Sequence, residues 1–284
     1  MISSIITEVP RIFDYDYIYF DAIFLAIWIG LLIARKKYTP LLAGVVIAIP
    51  VYLIDAVIWW NSPTLQSTTG YVREYIIGGI QMPHPLDQYF WLKFGADFMM
   101  CISYSIYAFS WVWIMFQSWK TKNRKDMIFF SVWWFASWIL TPVLSKAISW
   151  NETTVQCIRY MDSQLIAQIV TVACGFILMS VFYFTDRFNS KDRGVILYVF
   201  MVGCLQAFIM EFPLFITGIR PTEISLLIYE IFILTNQGAP YLYLIWDKIG
   251  PMIKDKIVSK DEKTEDITIE PEIEMQDEVL IADS

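Results

Sequence analysis

Seven apolar blocks alternate with short polar or basic connections, over residues 17–35, 40–60, 89–117, 127–149, 163–185, 193–217 and 221–246. A helix of about 20 residues crosses the hydrocarbon core of a bilayer. Lipid offers the backbone no hydrogen-bond partners, so blocks of this length and character must be helical. The pattern predicts an all-α, polytopic membrane protein built as a seven-transmembrane-helix bundle. Residues 1–16 form a short leading segment, 17–247 the membrane domain and 248–284 a polar tail. Pro50, Pro142, Pro213 and Pro240 fall inside the spans, where each is expected to kink its helix.

The basic residues give the bundle a direction. One set of connections, with the C-terminal segment, carries fifteen Lys and Arg, and the other set carries six: Arg11, Arg73, Lys93, Lys146, Arg159 and Arg220. The excess marks the cytoplasmic side, placing the N-terminus outside, the C-terminus in the cytoplasm and the protein in the cell membrane as a multi-pass chain. The first apolar run has no basic region ahead of it, so the first helix is expected to act as the targeting signal.

Composition supports this picture. Hydrophobic residues make up 57 % and charged residues 17 %, against about 25 % charge in soluble domains. The net charge of −7 belongs to the tail: residues 261–284 hold ten acids and one lysine, while 1–260 hold eighteen acids against twenty bases. A near-neutral, apolar body excludes nucleic acid as a partner. The tail passes from basic, suited to an anionic inner leaflet, to acidic and free of aromatics, open to a cytoplasmic partner.

Ionisable side chains inside spans are costly and by default mark function. Asp21, Asp55, Lys93, Asp97, Lys146, Glu211, Glu223 and Glu230 all map to the outer half of the bilayer or its interface. Their one-sided placement predicts a polar cavity open to the outside, closed beneath by an aromatic floor. Lys93 and Asp97, four apart, share a helix face, continued by Met100 and Tyr104. Glu223, Glu230 and Gln237 repeat every seven residues as a stripe down the last span. Lys93 and Lys146, with Arg73 from the outer loop, are the bases expected to meet Glu230, and Asp97, Glu211 and Glu230 are expected to outnumber the bases around them.

The 61–88 connection is the longest. Its middle, YVREYIIGGI, is amphipathic enough to lie on the outer surface. His84, the single histidine, could join Asp87, Arg73 and Glu74 in a lid over the cavity. Twelve tryptophans include an interfacial belt and the deeper run Trp133, Trp134, Trp138, for which helix packing or lipid contact outweighs a pocket for a flat ligand.

What is missing narrows the chemistry. One histidine excludes three-His zinc sites and bis-His haem, so no metal or cofactor is expected. The four cysteines have no CxxC spacing. The last span has no lysine for a retinal Schiff base, and there is no P-loop, Rossmann fingerprint or G-x-S-x-G. The remaining expectation is a membrane enzyme acting on a lipid or isoprenoid-like substrate by acid/base chemistry. Glu230, Glu211, Asp97 and Lys93 are its catalytic candidates, and Asp55, Arg73, His84, Tyr104 and Gln237 its substrate-binding ones. Membrane lipids and a lipid-like or small-molecule ligand are the expected partners. The alternatives are a secondary transporter of a cation or small solute using the same carboxylates, and a seven-helix receptor or accessory subunit.

Overall fold

In the computed structural model, which describes residues 8–184, 194–221 and 223–251, six of the seven apolar blocks are helices long and apolar enough to cross a membrane. They are α1 (Tyr17–Ala34), α2 (Tyr38–Ile58), α3 (Asp87–Thr121), α4 (Arg124–Ala147), α5 (Asp162–Phe184) and α6 (Gly194–Ile216). The chain is mostly helical, as a polytopic membrane protein requires. The seventh block is broken into α7 (Ile224–Phe232), a single 3-10 turn at Leu234–Gln237 and α8 (Ala239–Leu244). Asn236 and Gly238 explain the break. The buried Asn236 side chain turns back to the carbonyls of Ile231 and Phe232, competing with the helix's own ladder, and Gly238 is a weak helix former. The seven-residue stripe ends with it, because Gln237 is not on the helix that carries Glu230.

An all-α reading also misses a four-stranded antiparallel sheet. Strands β1 (Glu8–Phe13), β2 (Arg73–Ile77), β3 (Ile80–Gln81) and β4 (Val155–Tyr160) run in the order β1-β4-β2-β3. They come from the segment before α1 and from the α2–α3 and α4–α5 connections. The α6–α7 connection joins them where the Ile12 N–H donates to the Ile219 carbonyl at 2.7 Å. The sheet therefore gathers the leading segment and the α2–α3, α4–α5 and α6–α7 connections at one end of the helices.

Alternation explains why these short segments pair. Val9, Arg11 and Phe13 on β1, Val155, Cys157 and Arg159 on β4, and Arg73, Tyr75 and Ile77 on β2 share one face, and all nine are buried. The stretch expected to lie amphipathically on the membrane surface is instead the β2–β3 hairpin. Its two-residue turn, Gly78–Gly79, has both φ angles positive (56° and 79°), the backbone that such a turn needs and that glycine adopts without strain. At the sheet's corner the Asp16 carboxylate accepts hydrogen bonds from the N–H groups of Trp150, Asn151 and Thr153 at 2.7–2.9 Å and from the Ser149 hydroxyl. Those donors outweigh burial and hold its carboxyl well below the usual carboxylate range.

On the opposite side, Asn123 caps α4 by accepting the Asp126 N–H. Asp126 in turn meets Lys37 at 2.5 Å and Arg35 at 3.2 Å, tying the α1–α2 turn to the start of α4. Between the two ends Trp28, Tyr107, Trp111, Phe130, Trp134 and Trp138 form a buried aromatic core among α1, α3 and α4. The indole N–H groups of Trp28 and Trp111 donate to Ser110 and Ser131. Of the run expected to pack or to line a pocket, Trp134 lies in this core, Trp138 both packs here and borders a small cavity, and Trp133 is only half-buried.

Two helices contain wider π turns, Leu53–Ile58 in α2 and Phe98–Ser103 in α3. Such turns shift the side chains that follow and often occur at functional sites. Here they bring Asp55 and Cys101 together, with Sγ 4.0 Å from Oδ2. The chain divides by contacts into Met1–Tyr243 and Leu244–Ser284. The second unit is described over 244–251 and contains a π turn at Ile245–Ile249. The acidic part of the tail lies outside the described residues.

Candidate functional site

The sheet-side ends of α2 and α3 border a half-open cavity of about 480 Å³. Tyr52, Trp60, Tyr71, Phe90 and Phe94 supply its aromatic wall, and Lys93 and Asp97 its charged groups. Because α3 is helical here, the two side chains lie one turn apart on the same face, with Nζ and Oδ2 separated by 2.5 Å. Lys93 also donates to the Ala56 carbonyl at 3.1 Å and stands over the Trp60 ring at 4.4 Å. Both members of the pair are almost wholly buried in protein. A desolvated Lys–Asp pair in an aromatic chamber can hold a proton in either of two places, and its electrostatic effect on a bound molecule is strengthened by the low dielectric.

His84 lies on the rim, stacked between Trp60 and Tyr71 with ring centroids at 3.9 and 3.7 Å. Its Nε2 is enclosed without a hydrogen-bond partner. Partial burial, reinforced by the charge of Lys93, lowers its pKa below the ordinary histidine value.

Beneath the sheet lies a second charged centre. Arg11 reaches down from β1 to Glu211 on α6 at 2.8 Å and to Glu230 on α7 at 3.5 Å. Arg220 from the α6–α7 connection meets Glu211 at 2.7 Å and also pairs with Glu230. Beside them Arg73 pairs with Asp55 at 3.0 Å. Burial opposes the charge of Arg11, but Glu211 and Glu230 outweigh it and hold the guanidinium more firmly protonated than usual.

These positions revise several expectations. Glu230 is met by two arginines from connections, not by Lys93, Lys146 or Arg73. Asp97, Glu211 and Glu230 do not outnumber their bases, because Lys93, Arg11 and Arg220 stand against them. Asp21, expected near a helix end, is buried with Oδ2 unpartnered. It lines a small cavity of about 30 Å³ with Arg11, Tyr104 and three methionines. Lys146 pairs with Asp14 at the partly exposed sheet-side end of α4, and the exposed Glu223 precedes α7. Of the four residues suggested for a lid, only His84 reaches the large cavity. Arg73 points inward from the sheet, Glu74 on its other face accepts from the Thr69 hydroxyl at 2.8 Å, and Asp87 begins α3.

The structure therefore brings together Lys93, Asp97 and His84 in one place and Glu211 and Glu230 in another, while Arg73 and Asp55 form a separate pair between β2 and α2. Tyr104 borders the small cavity, and Gln237 ends the 3-10 turn of the broken last block. Sequence reasoning missed Arg11, Arg159 and Arg220, which served there only as orientation signals. The alternations Val9-x-Arg11-x-Phe13 and Val155-x-Cys157-x-Arg159 were the available clue. Among the described residues no group of His, Cys, Asp and Glu has the arrangement of a metal site. No family model matches the chain, and no match was found among curated proteins or solved structures.

Proposed function

We propose that this chain is a multi-pass membrane enzyme that takes a lipid or isoprenoid-like molecule into the cavity between α2 and α3 and acts on it by acid/base chemistry. The observation that carries the reading is the Lys93–Asp97 pair, buried at the wall of a cavity of about 480 Å³ whose other lining is mostly aromatic and aliphatic. That size suits a drug-sized ligand or the head and first carbons of a larger amphiphile. Aromatic walls favour an apolar or unsaturated chain, and the exposed Val57 and Phe90 on the rim offer an approach from the bilayer interface. In this reading Asp97 takes the proton and Lys93 returns it or stabilises the charge that develops. Glu211 and Glu230, each shared by two arginines, hold the sheet to the helices. The excess of Lys and Arg on the opposite side puts the reaction at the outer leaflet.

A second reading has one specific support. The helix break at Ile233–Gly238 is the kind of interruption that forms binding sites in secondary transporters, and it favours a solute route through the bundle.

Native mass spectrometry with lipid extraction, on gently solubilised wild type, Lys93→Met and Asp97→Asn, tests the choice. A lipid retained by the wild type and lost from both variants is the expected result. No retained organic molecule, or equal retention in all three, sinks the enzyme reading and moves the work to uptake assays in liposomes.

A further inference from the structure

The buried face of the sheet carries three arginines in adjacent strands. Arg73 on β2 stands directly opposite Arg159 on β4, and Arg11 on β1 opposes Cys157, one inward position along. Arg11 and Arg73 have carboxylate partners. Arg159 has no carboxylate within 4 Å among the described residues, although it is only 8 % exposed; Asp55, Glu211 and Glu230 act on its charge from farther away without a hydrogen bond. Its Nε and Nη2 are enclosed and donate to no partner, and Arg73 beside it keeps Nε and Nη1 in the same condition.

A guanidinium does not escape this problem by losing its proton, since its pKa lies far above neutrality. Burial works against the charge of Arg159, and the neighbouring Arg11 and Arg73 add like-charge repulsion, so its pKa is depressed where an ion-paired arginine's would be raised. Isolated buried charge is normally met by a counter-charge with hydrogen bonds. The unpartnered atoms also say what kind. Nε and Nη2 lie on one edge of the guanidinium plane and send out two parallel N–H groups. That edge matches two oxygens of a carboxylate or phosphate in bidentate fashion.

We propose that Arg159, with Arg73 beside it, forms an oxyanion-binding site under the sheet that accepts a carboxylate or phosphate group. The inference does not rest on the reading of the α2–α3 cavity. The group can arrive as a free ion or as the head of an anionic lipid, and the same N–H fork serves both.

Binding to the detergent-solubilised full chain decides the matter, with inorganic phosphate and dioctanoyl phosphatidic acid as probes and dioctanoylglycerol as the neutral control. Phosphorus NMR line broadening on the wild type needs no variant. Saturable binding of phosphate points to a free ion, and binding of the phosphatidic acid alone points to a lipid head. In either case Arg159→Lys, which keeps the charge and loses the fork, should weaken binding at least tenfold, while Lys122→Gln on the opposite side leaves it unchanged. Absence of binding to the wild type overturns the proposal, as does equal affinity in wild type and Arg159→Lys. Should Arg159→Lys fail to fold, Arg73→Lys takes its place with the same two readings.

Discussion

Arg11 in the first strand and Glu211 in the sixth long helix meet at 2.8 Å, 200 residues apart in the chain. The other oxygen of Glu211 faces Arg220 at 2.7 Å, and Glu230 shares both arginines. Four side chains from four parts of the chain thus neutralise one another in the buried interior.

Breaking such a cluster from one side leaves charge behind. Arg11→Met should cost about 3–5 kcal/mol, the usual penalty for removing one partner of a buried ion pair, read as a lower Tm of the solubilised protein. Arg11→Met combined with Glu211→Met should regain most of that loss, because the orphaned carboxylate goes with its partner. A single variant within about 0.5 kcal/mol of wild type, as for an ordinary surface change, would show that the cluster does not hold the sheet.

Gly203 on α6 makes room for Asn236 in the break of the last segment. A β-carbon at 203 would come 1.9 Å from Asn236 Oδ1 and 2.7 Å from its Cγ. Asn236 cannot swing aside without giving up its bonds to the Ile231 and Phe232 carbonyls. Gly203→Ala should therefore destabilise the protein by about 1–3 kcal/mol, the range for overpacking a full site. Gly30→Ala is the control: nothing lies within 4 Å of its added carbon, so its Tm should hold or rise slightly.

His84 gives a clean pH signature, being the single histidine in the sequence. Its folded pKa is lowered from 6.5, so between the two values the unfolded chain binds more protons than the folded one. Stability from this site is then complete above about pH 6.5 and is lost as the pH falls through the window below it. The difference in Tm between wild type and His84→Gln should accordingly shrink on acidification. A difference that grows as the pH falls would contradict the geometry, and the one-histidine NMR titration reads the same pKa directly.

Orientation is open to chemical labelling. In a cysteine-free background, Leu65→Cys on the sheet side should react with a membrane-impermeant thiol reagent added to intact cells, and Lys122→Cys at the α3–α4 turn should not. The Lys and Arg bias requires this pattern, and the opposite one would turn the sheet and its cavity towards the cytoplasm.

The six long helices were legible because hydropathy over some twenty residues is a strong signal and lipid leaves helices no competitor. The Lys93–Asp97 pair was legible because its four-residue spacing lies within one helix. What escaped depends on contacts distant in sequence. Arg11 stands in the leading segment and Arg159 and Arg220 in connections, where arginine is ordinary, and only the register β1-β4-β2 turns Arg11 and Arg159 inward. Strands of two to six residues leave a faint trace beside helices of twenty, and Gly78–Gly79 suits a loop as well as a hairpin turn. The last block kept its hydropathy through Asn236 and Gly238, so its break was hidden in the average.

The strand order has a consequence for biosynthesis. β4 lies between β1 and β2 and is made after four long helices have left the ribosome. Until it arrives β1 has no strand to join and β2 has only β3, so neither Arg11 nor Arg73 has β4 beside it. The glutamates that receive Arg11 come later still. Nascent chains halted after α4 should therefore enter the membrane yet leave their N-terminal strand open to protease, and protection of that strand should report when the last helices have joined.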